Sequence, residues 1–145
     1  MLPSPDLLTT RVLFIDGNAN DRTYFADQLK RCSQDYQIIE AADGKSGLEV
    51  CKSRRIDCVV LEMTLPDQSG LEVLNTLVPR PSKPRIAVIV LTHFSHPGMW
   101  KLAKQNGAYV CFHKPLTSAD DLDRAINRAI GFVGQMPKED RYRPR

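Results

Sequence analysis

The chain has 145 residues, enough for one domain with a full hydrophobic core. Hydrophobic residues make up 42% and charged residues 26%, ordinary globular values that exclude a disordered chain. Part of the net charge of +3 sits at Lys138, Arg141, Arg143 and Arg145, so a solvated basic tail explains it better than a nucleic-acid surface.

Residues 1–10 carry two prolines and no periodic pattern, and read as a leader or linker. The run Arg11-Val12-Leu13-Phe14-Ile15 is the mark of a strand buried on both faces, and it ends in turn residues Asp16-Gly17-Asn18. Tyr24, Phe25, Leu29 and Cys32 recur at helical spacing, with Asn20 or Asp21 as N-cap. A second strand spans 36–41, and Asp43-Gly44 turns into a helix over 45–53. The third strand runs from Ile56 to Glu62. Gly70 then opens a helix that must stop by Val78, because Pro79, Pro81 and Pro84 follow. The most continuous apolar run, 86–91, reads as a central strand ended by Thr92. A helix over 97–106 starts at His96-Pro97 and is closed by Gly107; a fifth strand covers 108–112. The last helix, 120–132, carries Leu122, Ile126, Ala129, Ile130 and Val133 as its apolar stripe.

Five strands alternating with five helices predict a doubly wound α/β fold, with a parallel sheet between two helical layers. The domain is expected over residues 11–133, and 134–145 as a basic tail or linker. Cys32, Cys51, Cys58 and Cys111 form no CxxC pair, and Cys58 and Cys111 read as small core residues. No apolar run approaches the ~20 residues that span a bilayer, and no charged segment leads into an apolar stretch as in a signal peptide. A reducing cytoplasm is the expected setting.

In open parallel sheets, ligands bind beyond the carboxyl ends of the strands. At those ends stand Asp16, Glu62, Thr92 and Lys114: two acids, a hydroxyl and an ammonium. Any one of them alone reads as a residue leaving the core. Four together, at equivalent strand ends, read as one shared site.

The segments Val12-Leu13-Phe14-Ile15-Asp16, Glu62 to Gly70, Val90-Leu91-Thr92 and Lys114-Pro115, in this order and spacing, resemble the receiver domains of two-component response regulators. The resemblance covers about residues 11–133. It implies the flavodoxin-like strand order 2-1-3-4-5 and a place in phosphorelay signalling, where a histidine kinase donates a phosphoryl group to an aspartate. It also implies Mg²⁺ held by an acidic pair, the acceptor and a backbone carbonyl two residues later. The lysine would bind the phosphoryl oxygens and the hydroxyl would follow the new phosphate. Lys114-Pro115 matches the family's cis peptide.

Several residues depart from that pattern. Glu62 stands at the acceptor position, Gly17 replaces the second acid, His93 replaces a small residue after Thr92, and Cys111 replaces an aromatic residue. Asp16, Glu62 and the Thr64 carbonyl would hold Mg²⁺ weakly at best, because this ion gives up its waters reluctantly. A longer nucleophile misplaces the attacking oxygen, and a shift of about 1 Å costs ~10²-fold in rate.

The expected function is therefore a phosphorylation-independent pseudo-receiver, not an enzyme, in which Glu62 bonds Lys114 or mimics a phosphoaspartate toward Thr92. The expected partners are a histidine kinase or another signalling protein, docked on the face formed by residues 96–133, with Met99 and Trp100 as candidate anchors. A homodimer stays open. The alternative is a phosphorylatable receiver with weak Mg²⁺ dependence. A flavin- or nucleotide-binding protein ranks third, since neither GxGxxG nor a P-loop occurs. Metal binding by His93 and His113 ranks low, for want of ligand spacing.

Overall fold

The computed structural model describes residues 9–134. Strands β1 (Thr10–Ile15), β2 (Tyr36–Ala41), β3 (Cys58–Leu61), β4 (Ala87–Thr92) and β5 (Val110–His113) form one parallel sheet in the order β2-β1-β3-β4-β5. They alternate with helices α1 (Ala19–Cys32), α2 (Gly44–Ser53), α3 (Gly70–Leu77), α4 (Pro97–Gln105) and α5 (Ala119–Gly134). The alternating pattern predicted this doubly wound arrangement, and the resemblance implied its flavodoxin-like strand order.

The strands are apolar throughout because each face of the sheet has its own core. Leu13, Ile15, Val59, Leu61, Val88 and Val90 pack against Cys51 of α2, Val73 and Leu74 of α3 and Ala103 of α4. Their neighbours Val12, Phe14, Cys58, Val60, Ile89 and Leu91 point the other way, onto Phe25 and Leu29 of α1 and Leu122 and Ile126 of α5. Successive side chains alternate between the faces, so two buried faces leave no polar positions within the strands. Ile15 pairs with Leu61, Leu61 with Val90, and Thr92 with His113. That register brings Asp16, Glu62, Thr92 and Lys114 out at one edge of the sheet.

Several boundaries differ from the sequence reading, each for a local reason. Thr10 belongs to β1 rather than the leader, since its N–H donates to the Asp35 carbonyl at 2.7 Å. Asn18, not Asn20 or Asp21, caps α1, accepting from the Asp21 N–H at 3.0 Å. β3 is shorter than 56–62, although Ile56 is still buried. β5 starts at Val110 because the chain first wraps the end of α4. Ala108 donates back to Ala103, and Gly107 takes φ 105°. The Lys114–Pro115 bond is trans, as is every peptide bond among the described residues. Pro115 sits early in a 3₁₀ turn, Lys114–Leu116, that directs the lysine to the crevice without a cis bond. α5 continues to Gly134, and the basic tail beyond it lies outside the described residues.

Trp100 is half-buried, packed on the core beside Met99, and its indole N–H donates to the Phe94 carbonyl at 3.2 Å. Both candidate anchors thus serve their own domain. Tyr109, Leu102, Phe132 and Leu116 are the exposed apolar residues on that side.

Two glycines test this packing with opposite signs. A Cβ on Gly70 would lie 2.5 Å from the Glu62 carbonyl oxygen and 2.6 Å from the Met63 Cα, both backbone atoms. Gly70→Ala is expected to cost about 1–3 kcal/mol in urea unfolding. Gly131, on the exposed face of α5, has nothing within 4 Å of such a Cβ. Gly131→Ala is expected to add roughly 0.5–1 kcal/mol.

Candidate functional site

Each strand end delivers one polar group, and the following turn fixes its direction. Asp16 is buried; its Oδ1 accepts the Asn18 N–H at 2.9 Å, which tightens the turn into α1. Asn18 then caps α1 and sets Asp21 in the first helical turn, above the same edge. Lys114 stands across the sheet, with its stem buried. Its Nζ lies 2.7 Å from Asp16 Oδ2, 2.8 Å from Asp21 Oδ2 and 3.0 Å from Glu62 Oε2. One ammonium, with three N–H donors, thus meets three carboxylates.

Glu62 is 2% exposed and surrounded by donors. Its Oε1 accepts from the Thr92 hydroxyl at 2.6 Å and from the Met63 and Thr64 N–H groups at 2.7 and 3.3 Å. Its Oε2 accepts from Lys114 and from the His93 N–H at 3.2 Å. The His93 ring adds a contact from Nδ1 at 3.1 Å; since a carboxylate only accepts, Nδ1 carries the proton. The ring covers the site from outside, with 52% of the side chain exposed, and His113 Nε2 donates to the His93 carbonyl at 3.1 Å. The Thr92 hydroxyl also accepts the Phe94 N–H at 3.2 Å, tying Glu62 to the loop before α4.

Burial pushes the Glu62 carboxyl up. Hydrogen bonds from Thr92 and Lys114, the lysine's charge, and the bond from His93 outweigh it and hold the group below its ordinary value. Burial pushes the Lys114 ammonium down, and bonds to Asp16, Asp21 and Glu62 together hold it above its usual range.

All four strand-end residues expected to meet do so. Thr64 lines the same crevice, of about 610 Å³, as do Gly17 and Pro66. One participant escaped the sequence reading. Asp21 joins Lys114; the signal was Asn18 three residues earlier, which makes Asp21 a first-turn acid. His93, singled out beside Thr92 as a departure, reaches Glu62 with its ring. His96 caps α4, its Nδ1 accepting the Met99 N–H at 3.1 Å. Among the described residues, no group of three or more His, Cys, Asp or Glu side chains is arranged to hold a metal. The donor set itself fits Mg²⁺ poorly. All three carboxylates are bonded to Lys114, and position 17 has no side chain, its Cα facing the Pro66 ring. The cysteines are buried or half-buried, and burial raises the Cys51 thiol to about 12 and the Cys111 thiol to about 11, in keeping with core roles. A separate pocket of about 220 Å³, lined by residues such as Pro84, Ile86, Lys104, Ala108 and Phe132, contains none of the strand-end groups.

Glu62→Gln should cost about 1–3 kcal/mol at neutral pH, the range for a lost bond to a charged group. A depressed carboxyl contributes stability above its unfolded value of 4.5, and this is lost as pH falls through the lower folded value. The gap between native and Glu62→Gln thermal midpoints should therefore narrow in acid. A gap unchanged from neutral pH to strong acid would contradict the assignment.

A sequence profile of the response regulator receiver domain matches residues 12–127. Among curated proteins, the chain is 32% identical to a probable cyclic di-GMP phosphodiesterase of Vibrio cholerae over 77% of its own length but only 25% of that protein. It is 25% identical to sporulation initiation phosphotransferase F of Bacillus subtilis, covering 86% of this chain and 96% of that one. It is 30% identical to the transcriptional regulatory protein PdtaR of Mycobacterium tuberculosis, over 83% of this chain and 56% of that protein. Among solved structures, a response regulator receiver domain from Clostridium thermocellum aligns with a TM-score of 0.74 at 29% identity, covering 86% of this chain and 97% of that one. A CheY-like receiver from Methanospirillum hungatei aligns at 0.74 with 20% identity, covering 88% and 98%, a likeness of fold. The matched profile reaches from β1 through most of α5 and takes in every strand-end group, and on that basis the chain belongs to the response regulator receiver domain family.

Proposed function

We propose that this receiver domain of two-component signalling works through protein contacts without a phosphoryl-transfer step. One observation carries the reading: the Glu62 carboxylate already accepts from Thr92, Lys114 and the His93 N–H, the donors a phosphoryl group at this position would need. The side chain acts as a built-in, partial mimic of a phosphoaspartate, with less charge and fewer oxygens. It is also a poor nucleophile here, since both oxygens are engaged. Mg²⁺, bound through Asp16, Glu62 and the Thr64 carbonyl, would have to compete with Lys114, so weak binding at best is part of the proposal. The partner is a histidine kinase or another signalling protein, docked on the face formed by residues 96–133, with Leu102, Tyr109 and Phe132 replacing Trp100 as anchors.

The test is incubation with acetyl phosphate and Mg²⁺, followed by intact-mass measurement. No gain of a phosphoryl group is expected. A stoichiometric, alkali-labile adduct would sink the reading and favour a phosphorylatable receiver.

The two departures should also be repairable together. Glu62→Asp combined with Gly17→Asp is expected to bring Mg²⁺ binding, read by calorimetry, and labelling by acetyl phosphate. The Gly17 substitution needs Pro66 to yield slightly, since a Cβ there lies 3.0 Å from the ring, and Pro66 is exposed enough to do so. A double variant that takes up no metal would move the defect to His93 above the pocket.

A further inference from the structure

On the proposed docking side, β5 and α5 enclose a depression of about 300 Å³. Val110, Phe112 and Ala125 line it as apolar, partly or fully buried residues, and the exposed Arg124 and Arg128 stand beside them. These arginines are four apart on α5 and share a face. Arg124 Nε donates to a helix carbonyl, that of Asp120, at 3.4 Å, and its charge also acts on the Asp121 carboxylate; no carboxylate bonds Arg128 among the described residues. The hydrogen bonds of Asp121, at the depression's edge, go to the start of the helix. Its carboxylate accepts the Ser118 N–H at 3.2 Å while Ser118 Oγ accepts its own N–H at 3.1 Å, a cap on α5. The neighbouring α4 exposes Lys101 and Lys104 and has no acid of its own.

We propose that this depression docks an acidic protein segment that places an apolar side chain on the Val110–Phe112 floor between two carboxylates. The inference rests on the protein-docking reading above and names the chemistry of the partner. Each guanidinium offers a planar fork that matches a carboxylate with two parallel bonds. The two arginines fit an acidic segment directly, whereas a second copy of this chain would have to bring its own Asp120 and Asp121 onto them, so self-association is kept as an outcome of the test. The lining of the patch argues against nucleic acid. The floor between the arginines is apolar, and Asp120 and Asp121 close one end of the patch to phosphates.

The probe is a capped synthetic peptide, Glu-Glu-Asp-Leu-Glu-Glu-Asp, titrated into isotopically labelled full chain and followed by amide shifts. Expected are shifts at Val110, Phe112 and Ala125 that weaken as salt rises. They should also weaken when serine replaces the probe's leucine. The Arg124→Glu/Arg128→Glu variant should reduce affinity at least about tenfold with an unchanged thermal midpoint. Absence of shifts, equal binding of a lysine counterpart, tighter binding of a DNA duplex, or concentration-dependent self-association through this face would each overturn the proposal. Binding that appears only after acetyl phosphate treatment would uphold the surface and overturn the phosphorylation-independent reading. Absence of binding in both states would overturn the surface and leave the reading of Glu62 intact.

Discussion

A buried ammonium shared by three carboxylates organises this domain. Lys114 comes from the end of β5, Asp16 from β1, Asp21 from α1 and Glu62 from β3, so one cation ties together elements from across the sheet. Breaking a buried pair from one side leaves a charge uncompensated in a poorly solvated place, at roughly 3–5 kcal/mol. The acids therefore constrain one another. None can turn toward an outside ligand without leaving Lys114 short of a partner, and any incoming cation competes with a group the fold already holds.

Glu62 changes what that arrangement can do. An acid at the end of a buried strand first suggests a nucleophile. Its longer side chain instead reaches the Thr92 hydroxyl at 2.6 Å and the His93 N–H, with the His93 ring closing over it. Position 17, a glycine, carries no carboxylate beside it. In the proposed reading the two departures act together, Glu62 standing in for a phosphoryl group and Gly17 weakening the metal site. What remains is a permanent link from β3 through Thr92 to the loop before α4, and so to the face where partners are proposed to bind.

Much of this was legible from the residues. The continuous apolar runs of β1, β3 and β4 reported strands covered on both sides. The first polar residue after each run identified the site, because a strand leaving a two-sided core has only one place to put it. Asp21 was harder to see, since it lies one helical turn beyond its strand and depends on Asn18, not its neighbours, capping α1. The inward turn of His93 rests on a side-chain direction that a loop sequence does not encode. Trp100 was equally ambiguous: half a ring against the core and half against solvent have the same sequence signature. The Lys114–Pro115 bond was misread because the resemblance, and nothing in the local residues, suggested a cis isomer.

The proposed mode of action depends on Glu62 being an ionised, internally satisfied acceptor. Carbon-detected NMR titration of its side-chain carboxyl reads this out. The expected midpoint lies below the ordinary 4.5 and moves upward in Thr92→Val and in Lys114→Met. A midpoint at or above 4.5, or one indifferent to both substitutions, would contradict it.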